Sequence, residues 1–285
     1  MPDIVIPARD GFPLAASIFG DGDRGGVVIN SATGVRRHFY RKFAGYLASH
    51  GNRVVTYDYR GIGDSGGERT RRGLTARMRD WALLDAAAVL EWAGESHLGQ
   101  PVTVIGHSFG GQCLGLLDNH QRIRRAVFVG AQSGYWRHFP AWQRVRLFLL
   151  WYFTFPVLTP ALGYFPGRRL GLGEDLPKGV ALEWARWCRQ RHYLMDDIGA
   201  DLPDYFASFE APILAFKISD DSYGPEKAID ALLAWYRRSP ITIRAVHPEE
   251  CGVGAIGHFG LFREALRDTL WKEIRDWIND GSTHP

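Results

Sequence analysis

The sequence predicts an α/β fold, a mostly parallel eight-stranded sheet flanked by helices and interrupted by a helical insertion. Three observations carry this. Short apolar runs alternate with stretches of helical periodicity through most of the chain, as strands and crossover helices do in a parallel sheet. One such run, Val102-Thr103-Val104-Ile105, breaks at Gly106-His107-Ser108-Phe109-Gly110 and then turns helical. The alternation stops near Gln132 and resumes at Pro212.

In chain order, strands near 3–8 and 14–19 flank an Asp10-Gly11 turn. Gly26–Asn30 is the next strand, and a helix over 40–50 stops at Gly51-Asn52. Arg53–Tyr57 is a strand, and a helix over 75–93 puts Trp81, Leu84, Ala88 and Trp92 on one face. After the run at 102–105 come a helix from Phe109 and a strand at Ile123–Val129. Beyond the insertion lie a strand at 212–216, a helix over 225–236, a strand at Ile241–Val246 and a final helix over 259–277. The chain thus divides into a core of 1–131 and 209–285 and an inserted cap of 132–208.

At 285 residues and 46% hydrophobic, the chain can bury the core of one α/β domain with an insertion. A formal charge of +3, with no dense Lys/Arg block, argues against nucleic acid as a partner. Cys113, Cys188 and Cys251 are odd in number and widely spaced, without metal-ligand spacing. They suggest a reducing, cytoplasmic setting rather than a disulfide framework. The N-terminus has no basic region leading into a long apolar core, so no signal peptide is expected. Residues 147–165 are mostly apolar and approach the roughly 20 residues of a membrane span. Pro156, Pro160 and Gly163 interrupt them, so the reading is a buried or pocket-lining part of the cap, with no integral span.

Gly-x-Ser-x-Gly at 106–110 is the pattern of a tight strand-to-helix turn that holds a serine hydroxyl above the sheet. Small residues must flank such a turn, and the next N–H, that of Phe109, points into the same space. A serine there needs a base to take its proton, and the base needs an acid to fix its tautomer. His258, in Gly257-His258-Phe259-Gly260, lies after the last strand and before the last helix, where a loop can carry it over Ser108. His247 ends that strand and reads as structural. The acid is Asp221 or Asp220, at the end of the strand after the insertion. No carboxylate occurs between Ala131 and Gly173, so none stands just before the cap. A second oxyanion donor is expected from the loop Asn30-Ser31-Ala32-Thr33-Gly34, with Thr33 N–H first and Ala32 second.

Taken together, these stretches resemble the α/β-hydrolase superfamily. The likeness is greatest to serine hydrolases of the esterase, monoglyceride-lipase and serine-aminopeptidase-like group. Asp58-Tyr59-Arg60-Gly61-Ile62-Gly63-Asp64-Ser65 is similar to its Asp-x-Arg-Gly-x-Gly-x-Ser stretch, whose role there is structural. In that pattern the acid stands four residues before a proline, which singles out Asp221 ahead of Pro225. The usual His-Gly after the third strand is Ser31-Ala32 here, a departure that bears on the oxyanion donor. Dehalogenases and epoxide hydrolases of this frame carry aspartate at the nucleophile position, whereas Ser108 implies acyl transfer.

The resemblance implies a Ser108–His258–Asp221 triad with Phe109 and Thr33 N–H groups as the oxyanion hole. It implies no cofactor and no metal. Five of the ten tryptophans lie in the cap, which favours an apolar acyl or alcohol group, with Trp151 and Phe155 against it. The cap arginines read first as solvated side chains and second as partners for an anionic headgroup or carrier such as a coenzyme A phosphate. A carboxylic ester hydrolase is the first expectation. A thioesterase or acyltransferase with the same triad is the alternative, and a non-catalytic ligand-binding protein on this frame is a third. The expected partner is a small-molecule ester or thioester, and an exposed apolar cap would favour a homodimer contact.

Overall fold

A computed structural model describes residues 2–66, 73–98 and 102–280. Ten strands form in chain order: β1 (Asp3–Pro7), β2 (Pro13–Phe19), β3 (Gly26–Asn30), β4 (Arg53–Tyr57), β5 (Val102–His107), β6 (Ile123–Val129), β7 (Tyr164–Phe165), β8 (Leu176–Pro177), β9 (Ile213–Ile218) and β10 (Ile241–Val246). Eight of them make one sheet in the order β1-β2-β4-β3-β5-β6-β9-β10, and β7 pairs with β8 apart from it. The β1–β2 and β2–β4 pairs are antiparallel and the remaining main-sheet pairs are parallel. β3 and β5 are apolar and buried along their length, as strands covered on both faces are.

The strand order turns at β3 and β5. From β3 the chain goes to β4 on one side, and from β5 to β6 on the other. Ligand crevices of open parallel sheets form at the carboxyl ends of such a switch point. Asn30, the last residue of β3, pairs in register with Gly106 of β5. The Asn30–Gly34 loop and the 106–110 turn are therefore neighbours by topology.

The helices that matter for the site are α1 (Arg41–Ser49), α2 (Ala87–Trp92), α3 (Phe109–Gln112), α4 (Ala141–Leu162), α5 (Lys178–Arg189), α6 (Glu226–Leu233), α7 (Gly257–Gly260) and α8 (Lys272–Asp280). The chain leaves the sheet after β6, builds α4, the β7–β8 pair and α5, and returns at β9. Two expectations from periodicity change here. The helix expected over 75–93 begins at Met78, includes a wider π turn at Trp81–Ala86 and is buried on most sides, with Trp81 inside and Asp85 beside it. The final helix is broken. α7 is one turn, and α8 starts only after a further π turn at Arg267–Trp271. The break lets Leu261 and Phe262 both enter the core, and Trp271 Nε1 donates to the Leu261 carbonyl at 2.7 Å.

The loop after β4 is held by buried charge. Asp58 accepts from the Arg37 N–H at 2.6 Å and from the Asp64 N–H at 3.0 Å. Any side chain at Gly63 would meet Asp58 Oδ2 at 2.3 Å. Arg60 donates to Asp85 through Nε at 2.8 Å and to Asp10 through both terminal nitrogens at 2.7 and 2.8 Å. Burial raises the Asp85 carboxyl to about 6 despite Arg60 beside it. The Asp58–Ser65 stretch is thus a strut, consistent with a structural role. Removing one partner of a buried ion pair strands the other in low dielectric. Asp85→Ala is expected to cost about 3–5 kcal/mol, read as a lower denaturant midpoint at unchanged slope; an unchanged midpoint would show the pair to be idle.

Candidate active site

Ser108 stands between β5 and α3, with φ 52° and ψ −117°, one of two non-glycine residues at positive φ among the described residues. Such a backbone costs on the order of 1–3 kcal/mol and persists only where its surroundings enforce it. The surroundings here are glycines. A Cβ at Gly106 would meet Gly111 Cα at 2.4 Å, and one at Gly110 would meet the Asn30 carbonyl oxygen at 2.2 Å. Asn30 fastens the turn from the other side. Its Nδ2 donates to the Gly110 carbonyl at 3.2 Å and its Oδ1 accepts from Tyr57 Oη at 2.9 Å.

The Ser108 N–H donates to the Val129 carbonyl at 2.9 Å, which sets the serine beside Gly130 at the end of β6. Gly130 has φ +58°, and a Cβ there would lie 2.8 Å from His258 Cε1 and 3.0 Å from Asp221 Oδ2. The imidazole therefore rests directly on the glycine next to Ser108. His258 Nδ1 and Asp221 Oδ2 are 2.8 Å apart, and both side chains are buried. Asp221 Oδ1 accepts from the Tyr223 N–H at 2.8 Å and the Gly224 N–H at 2.9 Å. With its carboxylate so occupied, Asp221 holds the Nδ1–H tautomer and leaves Nε2 as the basic nitrogen of His258. Among the described residues, Ser108 Oγ closes no hydrogen bond to His258. Nucleophile–base bonds of unliganded sites are commonly long and tighten around substrate.

Asp220, the other acid of the pair, points elsewhere. Its oxygens accept from the Ile256 and Gly257 N–H groups, both at 2.9 Å. From the neighbouring loop it thus satisfies the first N–H groups of α7, the turn that carries His258. Of the two oxyanion donors weighed in the loop after β3, the Ala32 N–H is committed to Tyr40 Oη at 3.0 Å. Among the described residues, the Thr33 and Phe109 N–H groups have no acceptor.

Sequence reasoning missed a buried chain of hydrogen bonds behind the turn. His107 Nε2 lies 2.9 Å from the His258 carbonyl, which can only accept, so this nitrogen carries the proton. Nδ1 then accepts from Tyr40 Oη at 2.8 Å, and Tyr40 Oη in turn accepts from the Ala32 N–H. One chain joins the loop after β3, the serine turn and the histidine loop. The only sequence signal for it was an aromatic at the start of α1 and a histidine inside the turn.

Trp151 and Phe155, on the inner face of α4, line a partly open, mostly apolar cavity of about 70 Å³. Gln112 of α3, Leu147, Phe165, Trp184 and Tyr223 complete much of its wall. Tyr223 also sets its ring 5.4 Å from that of His258, so the cavity abuts the site. The aromatic wall is tightly made. Phe155 stacks on Phe165 at 3.7 Å, and Trp151 meets Trp184 edge-on at 4.9 Å. Trp151 Nε1 is buried without a partner. The wall is tied to the acid loop through Tyr193 Oη to Gln112, Gln112 to Gln132, and Gln132 to the Tyr223 carbonyl, at 2.9 to 3.0 Å. A larger open groove of about 530 Å³ runs behind the acid loop past Trp142 and Lys217. It touches Asp221 but holds neither Ser108 nor His258. The described residues contain no cluster of metal-ligating side chains.

Burial drives the His107 imidazole well below its usual value of 6.5. A depressed histidine contributes stability above the unfolded value and loses it as pH falls through the window below 6.5. The loss is at most about 1.4 kcal/mol per pH unit for one proton. Thermal unfolding of wild type and His107→Gln from pH 7.5 down to about 5 is expected to show a steeper fall for wild type. Parallel curves would remove His107 as the titrating group.

Residues 23–164 match the family model described as serine aminopeptidase, S33. Over nearly its whole length the chain is similar to an esterase from Exiguobacterium antarcticum, with TM-score 0.66, 17% identity and coverage of 97% of this chain and 99% of that one. It is also similar to a monoacylglycerol lipase from Paleococcus ferrophilus, with TM-score 0.61, 18% identity and coverage of 94% and 99%. At these identities the likeness speaks for the fold. The lysophosphatidylserine lipase ABHD12 of Gallus gallus is 42% identical over 64 residues, a stretch that is 22% of this chain and 15% of that relative. Fold, turn and family match agree: the chain belongs to the α/β-hydrolase superfamily, among its serine hydrolases.

Proposed function

We propose that this hydrolase cleaves a carboxylic ester with an apolar acyl or alcohol group, through an acyl-enzyme on Ser108. The observation that carries the reading is the His258–Asp221 contact at 2.8 Å, seated on the glycine beside a strained serine. His258 Nε2 takes the Ser108 proton as Oγ attacks the carbonyl carbon, and the carbonyl π pair moves onto oxygen. That oxyanion lies against the Phe109 and Thr33 N–H groups, which have no acceptor of their own among the described residues and so are free to stabilise the charge. Collapse expels the alcohol, which leaves with the proton held by His258. Water then repeats the sequence on the acyl-enzyme and releases the acid. Asp221 keeps the imidazole oriented and stabilises its cation throughout.

The apolar, aromatic cavity beside Tyr223 favours the apolar side of the ester there. Trp151 brings a buried indole N–H without a partner to that wall, a donor suited to an oxygen of the bound ester. The small volume selects short or flat groups.

The first test is hydrolysis of p-nitrophenyl esters of increasing acyl length by wild type, Ser108→Ala and Trp151→Ala. Wild type is expected to turn over short chains best, and Ser108→Ala to lose about 10⁴-fold or more in kcat. Wild-type levels of turnover in Ser108→Ala would overturn the assignment. A wild type inert to every ester, yet labelled at Ser108 by a fluorophosphonate, would keep the serine and reject the ester. Trp151→Ala is expected to move the optimum to longer chains, because truncation enlarges the cavity; an unmoved optimum would take Trp151 out of the acyl site.

A further inference from the structure

Helix α4 runs 22 residues, and by length and composition it could cross a bilayer. The expectation of a buried or pocket-lining segment holds for one of its faces only. The inner face carries Trp151, Phe155 and Thr159, all buried against the insertion's own aromatics. The outer face carries Trp142, Val145, Leu149, Phe153 and Val157 at helical spacing, and these are 51 to 76% exposed. Only 17% of the helix's most apolar stretch is buried. Phe148, Tyr152 and Trp136 extend this face as a ring cluster, with Phe148 and Tyr152 stacked at 4.6 Å. An exposed apolar stripe of this length marks an interaction surface on a protein whose other apolar residues are mostly inside.

Charge identifies the occupant. The Arg137 guanidinium lies 5.0 Å over the Trp136 ring and that of Arg189 lies 5.5 Å over the Tyr152 ring. Arg144 and Arg146 sit in the first half of the helix, Arg144 bound only to backbone carbonyls of Arg137 and Phe139. No Asp or Glu occurs from Ala131 through Gly173. A second copy related by two-fold symmetry would set this acid-free, arginine-bearing patch against the same patch, where its arginines would meet no acid of the segment. A spanning helix would have to strip Trp151 and Phe155 from their packing. A helix that is apolar on one side and bracketed by arginines and amphipathic rings fits the interface of an anionic bilayer.

We propose that the outer face of α4 docks the protein on anionic lipid surfaces, lying in the headgroup plane rather than crossing it. The inference stands on the insertion's surface and not on the reaction assigned to Ser108. It is therefore read without turnover, by flotation of the full chain with large unilamellar vesicles. Wild type is expected to float with phosphatidylcholine–phosphatidylglycerol vesicles and much less with phosphatidylcholine alone, with binding that declines as salt rises. The double variant Leu149→Glu, Phe153→Glu is expected to lose about tenfold or more in bound fraction while keeping the wild-type thermal midpoint. Should that variant fail to fold, Trp142 supplies a second reading. Brominated phospholipid should quench wild-type tryptophan emission, and Trp142→Phe should lose much of that quenching. The proposal fails if wild type floats with neither vesicle, or if binding ignores salt and yields only to detergent, as a span would. It also fails if sedimentation velocity shows a dimer that the double variant dissociates while vesicles go unbound.

Discussion

Everything at the site depends on forcing one serine into a backbone conformation it would not choose. Ser108 at φ 52° stores strain that the close packing of α3 against β3 and β5 must offset. That packing is possible because three positions lack a Cβ. Gly106 lets α3 fold back onto the strand, Gly110 lets the helix meet the Asn30 carbonyl, and a Cβ on Gly111 would lie only 2.7 Å from Ala131 Cβ. The same turn that strains Ser108 leaves the Phe109 N–H without an acceptor among the described residues, so the proposed nucleophile and the proposed oxyanion donor share one structural cause. Gly130 extends the logic to the neighbouring strand, since only a bare backbone leaves room for the His258 ring and the Asp221 carboxylate.

Three loops from three strands must then stay in register. The Ala32–Tyr40–His107–His258 chain does this with buried groups. In low dielectric each bond is costly to break, because the orphaned partner cannot turn to water. Tyr40 also explains a choice among donors. By taking the Ala32 N–H it leaves that of Thr33 as the candidate donor, without an acceptor among the described residues. Asp220 plays the corresponding part on the histidine side, fixing the first N–H groups of α7 while Asp221 meets the ring. Two adjacent carboxylates divide positioning and electrostatics between them.

Much of this was legible in the sequence because the parallel sheet writes itself plainly. The bounds of β3, β4, β6 and β10 follow from short apolar runs between polar or glycine stops. The turn at Ser108 and the loops bearing Asp221 and His258 follow from motif and chain order. What stayed hidden depends on contacts between segments far apart in the chain. Neither Tyr40 nor His107 carries a local pattern, since their meaning lies in a bond across 67 positions and another across 151. Gly130 reads as an ordinary strand-end glycine until the ring that rests on it is seen. The final helix looked continuous because its period persists, yet burying Leu261 and Phe262 together required breaking it. Tertiary packing overrode local propensity there, as it commonly does.

The composition of α4 has a related ambiguity that only three dimensions resolve. A run this apolar reads equally as core, span or pocket wall, since composition does not say which side of a helix meets protein. In the fold the two sides separate. Aromatics facing the insertion close a cavity next to the histidine, while those facing outward are left to solvent beside arginines. The π turn at Leu150–Thr154 stands between the N-terminal half with Trp142 and Arg146 and the half with Phe155 and Pro156. Such a turn tolerates Pro156 without ending the helix, because the widened ladder already leaves carbonyls out of the regular bonding pattern. One helix can therefore serve the site with one face and a surface with the other, and a change at its outer face has a direct structural route to the cavity wall.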